Sequence, residues 1–253
     1  MSTAPIIILV EPQLVENIGM TARSMMNTGL SELRLVDPRD AWPLHEPLKE
    51  RMNAASSGAD EILDNAKIYA TVRDALADLN YVYATTSRVH DMVNKIFTAR
   101  AAAPDIIERA ADGQKVAVMF GRERTGLVSD HVALCHARIT IPLSPVFPSL
   151  NLAQAVLLVG YEWYQAHDLT VPERTAMGKS HPASHEEYLL FWNRLRTELD
   201  QSGFFVAADM RPIMERSLQN MLQRAAMTEQ EIRTWHGVIS ALTGVPKRKQ
   251  KEV

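Results

Sequence analysis

Residues 6–29, IIILVEPQLVENIGMTARSMMNTG, join a short apolar run to a stretch of helical periodicity. Ile6 to Val10 predicts a buried strand, and the residues after it predict a helix that ends near Gly29. The same order returns along the chain, with strands predicted at 33–36, 67–70, 81–85, 116–120 and 138–141 and helices at 48–55, 71–79, 104–111 and 151–166. This alternation predicts an α/β fold in which helices cover both faces of a parallel sheet.

The composition is that of a folded globular protein. Of 253 residues, 46% are hydrophobic and 23% are charged, which argues against wholesale disorder, a collagen-like chain and a membrane-embedded one. No basic region precedes the first apolar run and no apolar stretch reaches about eighteen residues, so we expect neither a secretory signal nor a transmembrane helix. Because the single cysteine, Cys135, can form no internal disulfide, we expect a cytoplasmic protein.

The alternation of strands and helices gives way to a different pattern in the last third of the chain. Residues 168–185 contain two prolines and a glycine among polar side chains, which is typical of a linker. Residues 186–253 show three apolar stripes at helical spacing and no strand, and Thr228 with Glu231 fits a capping box. We therefore expect a main domain over 1–167, the linker, and a small helical extension that packs on the main domain or on a second subunit.

The formal net charge of −3 is unevenly distributed. Residues 1–172 carry a net charge of −5, whereas residues 173–253 carry a net charge of +2. Part of the basic excess lies in the tail, at Lys247, Arg248, Lys249 and Lys251. A solvated chain end and a surface for a phosphate-bearing partner both fit this pattern, and composition does not separate them.

Three loops follow predicted strands, at the edge where open parallel sheets bind ligands. The first leads to Asn17 and Arg23, although Asn17 could merely cap a helix and Arg23 could be a solvated side chain. The second, GRERTGL at 121–127, suggests a backbone that a ligand can approach closely, and a plain turn fits it equally well. The third covers 141–151, where a serine or an asparagine near its end could simply cap the next helix.

Several catalytic signatures are missing from these loops. The 121–127 loop lacks the Lys-Ser/Thr of a Walker A loop and the GxGxxG spacing of a dinucleotide fold. No serine lies in a GxSxG elbow, and no pair of carboxylates suggests acid–base catalysis. The histidines have no metal-ligand spacing with Cys135, so we expect no metal site.

Four segments carry a resemblance to a known family: ENIGMTARSMMNTGL (16–30), ATTSR (84–88), FGRERTGL (120–127) and IPLSPVFPSLNLAQAV (141–156). Their kind and order are similar to the successive motifs of the SPOUT RNA methyltransferases. Within that superfamily they most resemble the TrmJ type, the bacterial tRNA 2′-O-methyltransferases that act in the anticodon loop. The resemblance covers residues 5–166, and residues 185–243 resemble the C-terminal extension of that family.

The resemblance implies a SPOUT-type α/β knot, in which the C-terminal part of the parallel-sheet domain is tied into a trefoil knot. It also implies S-adenosylmethionine as the cofactor, bound in a bent form in the knotted loops, and a homodimer that completes the active site. Periodicity shows no knot, and the general rules of topology disfavour one. The knot is therefore an expectation from the resemblance alone.

The resemblance assigns roles at the matching positions. Arg23 stands at the place of the catalytic arginine. The other residues expected in the catalytic set are Asn17, Glu123, Ser149 and Asn151. The expected cofactor-binding residues are Thr86, Ser87 and Arg88 in the loop after the strand predicted at 81–85, Gly121 in the 121–127 loop, and Ile141, Ser149, Leu150 and Asn151 in the 141–151 loop. His90 departs from the family pattern, which has an arginine two places after Arg88, and it weakens an expected RNA phosphate contact at neutral pH.

The implied activity is methyl transfer from S-adenosylmethionine to a tRNA ribose 2′-hydroxyl, at cytidine or uridine 32 of the anticodon loop. Arg23 is expected to orient that hydroxyl near an RNA phosphate, because the high pKa of a guanidinium makes arginine a poor base. The expected partners are the tRNA anticodon stem-loop and a second copy of the chain, and neither a membrane nor DNA. The auxiliary RNA contacts are expected at Arg194, Arg196, Arg224 and the basic tail.

Three alternatives stay open at this point. The first is the same reaction on ribosomal RNA, since related SPOUT enzymes share these motifs. The second is a non-catalytic RNA-binding module that retains the fold, although Arg23, Glu123 and Asn151 argue against it. The third is an ordinary nucleotide-binding enzyme with an unknotted sheet, and the missing phosphate-loop signatures are the main objection to it.

Overall fold

The computed structural model describes residues 4–86, 93, 95–171 and 176–244. The chain divides into two compact units, residues 1–170 and residues 171–253, which are called the first and second unit below. The finer division into main domain, linker and extension stays a prediction. No helix in the described part of the chain is long and apolar enough to span a membrane.

The first unit is built on one parallel sheet. Its strands are β1 (Ile6–Val10), β2 (Leu33–Val36), β3 (Lys67–Tyr69), β4 (Tyr81–Thr85), β5 (Lys95–Thr98), β6 (Val116–Phe120) and β7 (Ala137–Thr140). Its helices are α1 (Val15–Asn27), α2 (Leu48–Ser56), α3 (Asp60–Asp64), α4 (Val72–Leu76), α5 (Ala99–Ala111), α6 (Ser129–Val132) and α7 (Leu152–Gln165). Among the described residues the strand order is β3-β2-β1-β6-β4-β7-β5, so the predicted α/β fold with a parallel sheet is confirmed. The trefoil knot stays a prediction.

Two elements differ from the sequence-based expectation. Strand β5 was not predicted, because it is a four-residue edge strand whose Lys95 and Ile96 are exposed and show no alternation of apolar and polar residues. Helix α5 begins at Ala99, five residues before the predicted start. Pro104 caused that error, since proline favours the first turn of a helix, whereas here it lies in the interior of α5.

The apolar run of β1 makes it a central strand. All five of its residues are buried, because β2 and β6 pair along its two edges and a core lies on each face. In the pairing of β1 with β6, Leu9 lies opposite Phe120. The loops that follow these two strands therefore leave the sheet side by side at its carboxyl edge.

Helix α1 packs against α2 on one side and α7 on the other. Gly19 permits the close approach to α2, because a Cβ at this position would collide with a backbone carbonyl of that helix. On the other side, the Ser24 hydroxyl donates to the carbonyl of Ala153 in α7, at 3.2 Å. This packing places the first turn of α1, with Asn17, beside the start of α7, where Asn151 lies.

The second unit contains the helices α8 (His185–Gln201), α9 (Arg211–Arg224) and α10 (Glu229–Leu242). Its core consists of Tyr188, Phe191, Trp192, Ile232 and Ile239. The predicted capping box of Thr228 and Glu231 is confirmed at the start of α10. The apolar stripes of α8 and α10 thus meet each other and account for the fold of this unit.

Arg194 joins α8 to α10 from within the second unit. Its guanidinium lies 3.1 Å from Nδ1 of His236, and it donates to the carbonyl of His236 at 3.2 Å and to Oγ of Ser240 at 2.6 Å. Arg194 was expected to contact RNA, and that contact stays a prediction; among the described residues the structure shows only bonds of its terminal nitrogens within the second unit. Its donors are used in packing two helices together, which sequence spacing alone could not reveal.

Candidate active site

A pocket of about 330 Å³ opens at the carboxyl edge of the sheet. The loops that follow β4, β6 and β7 form its wall, because these three strands are neighbours in the sheet. Its lining residues are Thr85, Thr86, Phe120, Gly121, Arg122, Glu123, Arg124, Thr125, Gly126, Ile139, Ile141, Leu143, Pro148, Ser149, Leu150, Leu152 and Ala155. A concave site with both apolar and polar walls at this position suits a small organic ligand.

The structure brings most of the predicted cofactor-binding residues into this one pocket. The predicted residues that line it are Thr86, Gly121, Ile141, Ser149 and Leu150. Ser87 and Arg88 lie outside the described residues, as does His90. Asn151 does not line the pocket but lies directly after Leu150, at the N-cap of α7.

A chain of hydrogen bonds links three of the predicted catalytic residues. The side-chain nitrogen Nδ2 of Asn151 donates to Oδ1 of Asn17 at 2.8 Å, and Nδ2 of Asn17 donates to Oε1 of Glu123 at 2.6 Å. The second oxygen of Glu123 accepts from the backbone N–H of Gln13 at 2.9 Å. Since Asn17 is only 3% exposed, both ends of its amide are fixed by these partners.

Asn151 also caps helix α7. Its side-chain oxygen accepts from the backbone N–H groups of Ala153 and Gln154, at 2.9 and 3.4 Å, while Oε1 of Gln154 accepts from the N–H of Asn151 at 3.2 Å. This capping box fixes the side chain so that its remaining amide donor faces Asn17. The capping interpretation is therefore correct for Asn151, and it is compatible with a place in the site.

Asn17 is not a helix cap. The N-cap of α1 is Leu14, which makes no side-chain capping bond, and Asn17 lies in the first helical turn. The capping interpretation that the sequence left open is therefore wrong at this position. Its buried amide serves the contact between Asn151 and Glu123 instead.

The 121–127 loop is a tight turn that also forms a wall of the pocket. The N–H of Gly126 donates to the carbonyl of Arg122 at 2.9 Å, and Arg124 and Gly126 adopt φ values of 72° and 67°. A Cβ on Gly121 would collide with the backbone of Gly126 and Leu127. Only glycine fits at 121, and it leaves the backbone accessible from the pocket.

At the base of the pocket, hydrogen bonds join the end of β4 to the neighbouring strands β6 and β7. The Thr85 hydroxyl donates to the carbonyl of Met119 in β6 at 2.8 Å, and the N–H of Thr86 donates to the carbonyl of Ile139 in β7 at 3.1 Å. These bonds fix the start of the loop after β4 between the loops after β6 and β7. The floor of the pocket is therefore part of the sheet itself.

Arg23 lies apart from this pocket. It is exposed on α1, does not line the pocket and has no hydrogen bond or ion pair within the described part of the chain. Asn17 and Arg23 are six residues apart, which in an α-helix is about 9 Å along the axis and about 120° around it. The structure therefore does not bring the predicted catalytic arginine into the pocket of its own chain.

Sequence reasoning missed several residues at this site. Glu11 pairs with Arg122 at 3.0 Å, and Gln13 supplies the backbone donor to Glu123. Arg124 and Thr125 line the pocket from the same turn. The signal for the turn was present in its two glycines and three charges, but no pattern marks Glu11 or Gln13 as neighbours of residues more than one hundred positions later.

The chain belongs to the SpoU rRNA Methylase family, whose sequence profile matches residues 4–161. The fold is that of SPOUT methyltransferase structures, and the chain is an RNA methyltransferase of this superfamily. The similarity to the SPOUT superfamily that was inferred from the four motifs is thereby confirmed.

Similar proteins extend beyond the family profile. The crystal structure of TrmJ from Z. mobilis ZM4 has a TM-score of 0.81 and 43% identity, over 94% of this chain and 99% of that one. The tRNA (cytidine/uridine-2′-O-)-methyltransferase TrmJ of Sodalis glossinidius is 34% identical over 95% of this chain and 92% of its own length. The SpoU methyltransferase AviRb from Streptomyces viridochromogenes, in complex with AdoMet, has a TM-score of 0.51 and 16% identity over 66% of this chain and 58% of that one, and shares the fold.

Proposed function

We propose that this protein transfers a methyl group from S-adenosylmethionine to a ribose 2′-hydroxyl of tRNA, at cytidine or uridine 32 of the anticodon loop. The observation that carries the proposal is the convergence of three loops on one pocket, backed by the bonds that join Asn151, Asn17 and Glu123. The tRNA (cytidine/uridine-2′-O-)-methyltransferase relative, which aligns over nearly the full length of both chains, supports the choice of tRNA and of the pyrimidine riboses. Position 32 rests on the resemblance of the motifs.

The pocket fits S-adenosylmethionine in size and in chemistry. Its volume of about 330 Å³ falls at the lower end of the roughly 300–1,000 Å³ of small-molecule sites. Ile139, Ile141 and Leu150 would hold the apolar parts of the cofactor, and the backbone around Gly121 would hold its polar parts. When bound, the cofactor supplies an electrophilic methyl group. Holding the reacting atoms in line can contribute roughly 7–11 kcal/mol toward lowering the barrier.

The outward faces of α1 and α7 suit a second copy of this chain. Their exposed apolar side chains are Met20 and Met26 on α1 and Leu157, Leu158, Tyr161 and Tyr164 on α7. The two helices pack side by side, so these side chains present an apolar face of the kind that isologous dimers bury. We therefore propose a homodimer through this face.

The homodimer explains why Arg23 lies outside the pocket of its own chain. Arg23 and Met20 are three residues apart on α1 and are both exposed, so both lie on one side of the helix. We propose that a second copy seated on this face would bring its own Arg23 to the pocket mouth of the first. There the guanidinium would orient the ribose hydroxyl beside an RNA phosphate and stabilise its deprotonated form, since it stays charged and is a poor base.

RNA contacts outside the pocket are proposed for the second unit. Arg196 and Arg224 are exposed, and neither has an ion-pair partner among the residues that the structure describes. The tail lysines and Arg248 lie outside the described residues. Free guanidinium groups of this kind can follow a phosphate backbone and make the binding salt-dependent.

Methylation assays with the full chain and labelled S-adenosylmethionine test the proposal directly. A tRNA transcript, a ribosomal RNA transcript and a tRNA with 2′-deoxyribose at position 32 are compared, and fragments are mapped by mass spectrometry. We expect label in the first tRNA only, at nucleotide 32. Label in ribosomal RNA alone would establish the rival substrate, and cofactor binding without any label would establish a non-catalytic RNA-binding module.

A further inference from the structure

The wall of the pocket that carries Glu123 is attached to the β1–α1 loop by two neighbouring side chains of opposite charge. Glu123 accepts hydrogen bonds from the backbone of Gln13 and from Asn17. Arg122, the residue directly before it, forms an ion pair with Glu11 at 3.0 Å. Both side chains therefore reach from the 121–127 loop to residues 11–17, where Arg122 and Glu123 bind different partners.

The pairing engages Arg122, one of the two arginines that flank Glu123 in the chain, with a carboxylate other than Glu123. A guanidinium that neighbours a carboxylate in the chain competes with neutral amide donors for the carboxylate oxygens, because an ion pair adds the attraction of opposite charges to the hydrogen bond. In the structure Arg122 donates to Glu11, and both oxygens of Glu123 accept from the amide groups of Gln13 and Asn17. Removal of the Glu11 carboxylate would leave Arg122 without this partner, and we expect its guanidinium then to turn to the adjacent Glu123.

Glu11 itself is held firmly at the end of β1. Its backbone N–H donates to the carbonyl of Val36 at 2.8 Å, and its carbonyl accepts from Nε2 of Gln13 at 2.8 Å. Its φ of 49° is in the left-handed region, which non-glycine residues adopt only when the surrounding structure imposes it. The carboxylate is therefore presented from a rigid point to a loop that lines the pocket.

We propose that Glu11 is a positioning residue for the methyl-transfer site: by binding Arg122 it keeps that guanidinium away from Glu123, and so preserves the bonds of Glu123 to Gln13 and Asn17. This inference rests on the proposed function for its activity readout. Glu11 does not line the pocket, and its effect passes through Arg122.

Three variants of the full chain distinguish this role from one in which the Glu11–Arg122 ion pair only holds the 121–127 loop in place. E11N removes the long carboxylate while keeping a residue that tolerates the left-handed backbone, so the fold is retained. R122Q removes the competing cation, and E11N/R122Q removes both. K67Q is the matched control. The Lys67–Glu32 ion pair is also partly exposed, but it lies at the amino ends of β2 and β3, whereas the pocket lies at the carboxyl edge of the sheet.

The first readout is the amide hydrogen exchange of Gln13, which needs no cofactor. We expect E11N to speed this exchange by about tenfold, since Gln13 N–H loses a charged acceptor. R122Q and E11N/R122Q are expected to stay within about threefold of the wild type, as a half-exposed ion pair alone contributes little. Exchange in E11N that matches the wild type, or equal acceleration in all three variants, would overturn the proposal.

The second readout is the dissociation constant of S-adenosylmethionine together with kcat on tRNA. We expect E11N to weaken binding and lower kcat by about tenfold in the wild-type background, and to change neither further in the R122Q background, because Glu11 acts through Arg122, which itself lines the pocket. If the variants show the expected differences in Gln13 exchange but the wild type methylates no RNA, the proposed function is refuted and the role of Glu11 remains supported. An E11N/R122Q variant about tenfold less active than R122Q would refute the role of Glu11 and leave the proposed function standing.

Discussion

Asn17 and Asn151 lie 134 positions apart in the chain and are joined by one hydrogen bond of 2.8 Å. Each residue is held from its other side, Asn151 by the capping box of α7 and Asn17 by Glu123. The first, third and fourth of the four motif segments therefore meet through hydrogen bonds of the Asn17 and Asn151 side-chain amides. Displacement of Asn17, Asn151 or Glu123 would therefore disturb the hydrogen bonds of the other two.

Asn17→Ala tests this connection. The substitution leaves Glu123 and Asn151 each without one partner, and hydrogen bonds to charged groups are worth about 1.5–3 kcal/mol. We expect kcat/KM for tRNA methylation to fall by about ten- to a hundredfold. The control is Asn65→Ala, which removes an exposed asparagine side chain at the end of α3 and is expected to leave the rate unchanged.

Gly121→Ala tests the turn that forms the pocket wall. An added Cβ would collide with backbone atoms of Gly126 and Leu127, which cannot move aside as a flexible side chain would. We expect calorimetry to show S-adenosylmethionine binding weakened at least about tenfold. Gly113→Ala is the matched control, since Gly113 has a φ of 80° but lies away from the pocket, so it should lower stability without affecting affinity.

The architecture and the loops of the site were predictable because they follow from local patterns. The continuous apolar run of β1 and the glycines of the 121–127 loop each carry their meaning in a few neighbouring residues. Strand β5 was missed because an edge strand with exposed residues has no such pattern. The contacts of Glu11 with Arg122 and of Gln13 with Glu123 depend on the order of strands, which places loops side by side that are distant in the chain.

Subunit mixing tests whether Arg23 acts on the pocket of a partner subunit. Arg23→Ala is expected to abolish methylation while S-adenosylmethionine still binds, because Arg23 does not line the pocket of its own chain. Mixing Arg23→Ala with Asn17→Ala should restore about a quarter of wild-type activity, since half the two-fold dimers are mixed and each has one intact site. An arginine that acted within its own chain would give no recovery on mixing, and full activity of Arg23→Ala alone would refute its assignment.

Stability at low pH should depend on Arg34 and Asp78. Arg34 is only 1% exposed and donates to Asp78 at 2.6 Å, and these hydrogen bonds hold the pKa of Asp78 well below its usual range, against the opposing effect of burial. A carboxyl with a lower pKa in the folded than in the unfolded state stabilises the fold above the unfolded value of about 3.9. That contribution is lost as the pH falls below this value.

Urea unfolding between pH 6 and about pH 2.5 measures this dependence. The free energy of unfolding of the wild type should decline steeply below about pH 4, whereas Asp78→Asn should start lower at neutral pH and decline less. Parallel curves for the two proteins would show that Asp78 does not contribute to the acid sensitivity. Asp130→Asn is a control, as Asp130 takes part in no ion pair within the described part of the chain.

Arg194 and Arg224 of the second unit should have different roles, one in stability and one in RNA binding. Arg194→Ala removes three contacts between α8 and α10 and is expected to lower the unfolding free energy of the second unit by about 1–3 kcal/mol. Burial and, secondly, the charge of Arg194 lower the pKa of His236, so this substitution should also raise that pKa toward its usual value, as NMR titration would show. Arg224→Ala should instead leave stability intact and reduce the salt dependence of tRNA binding by about one phosphate contact. A loss of tRNA affinity in Arg194→Ala with unchanged stability would contradict the packing role, because the side chain would then have been available to the RNA all along.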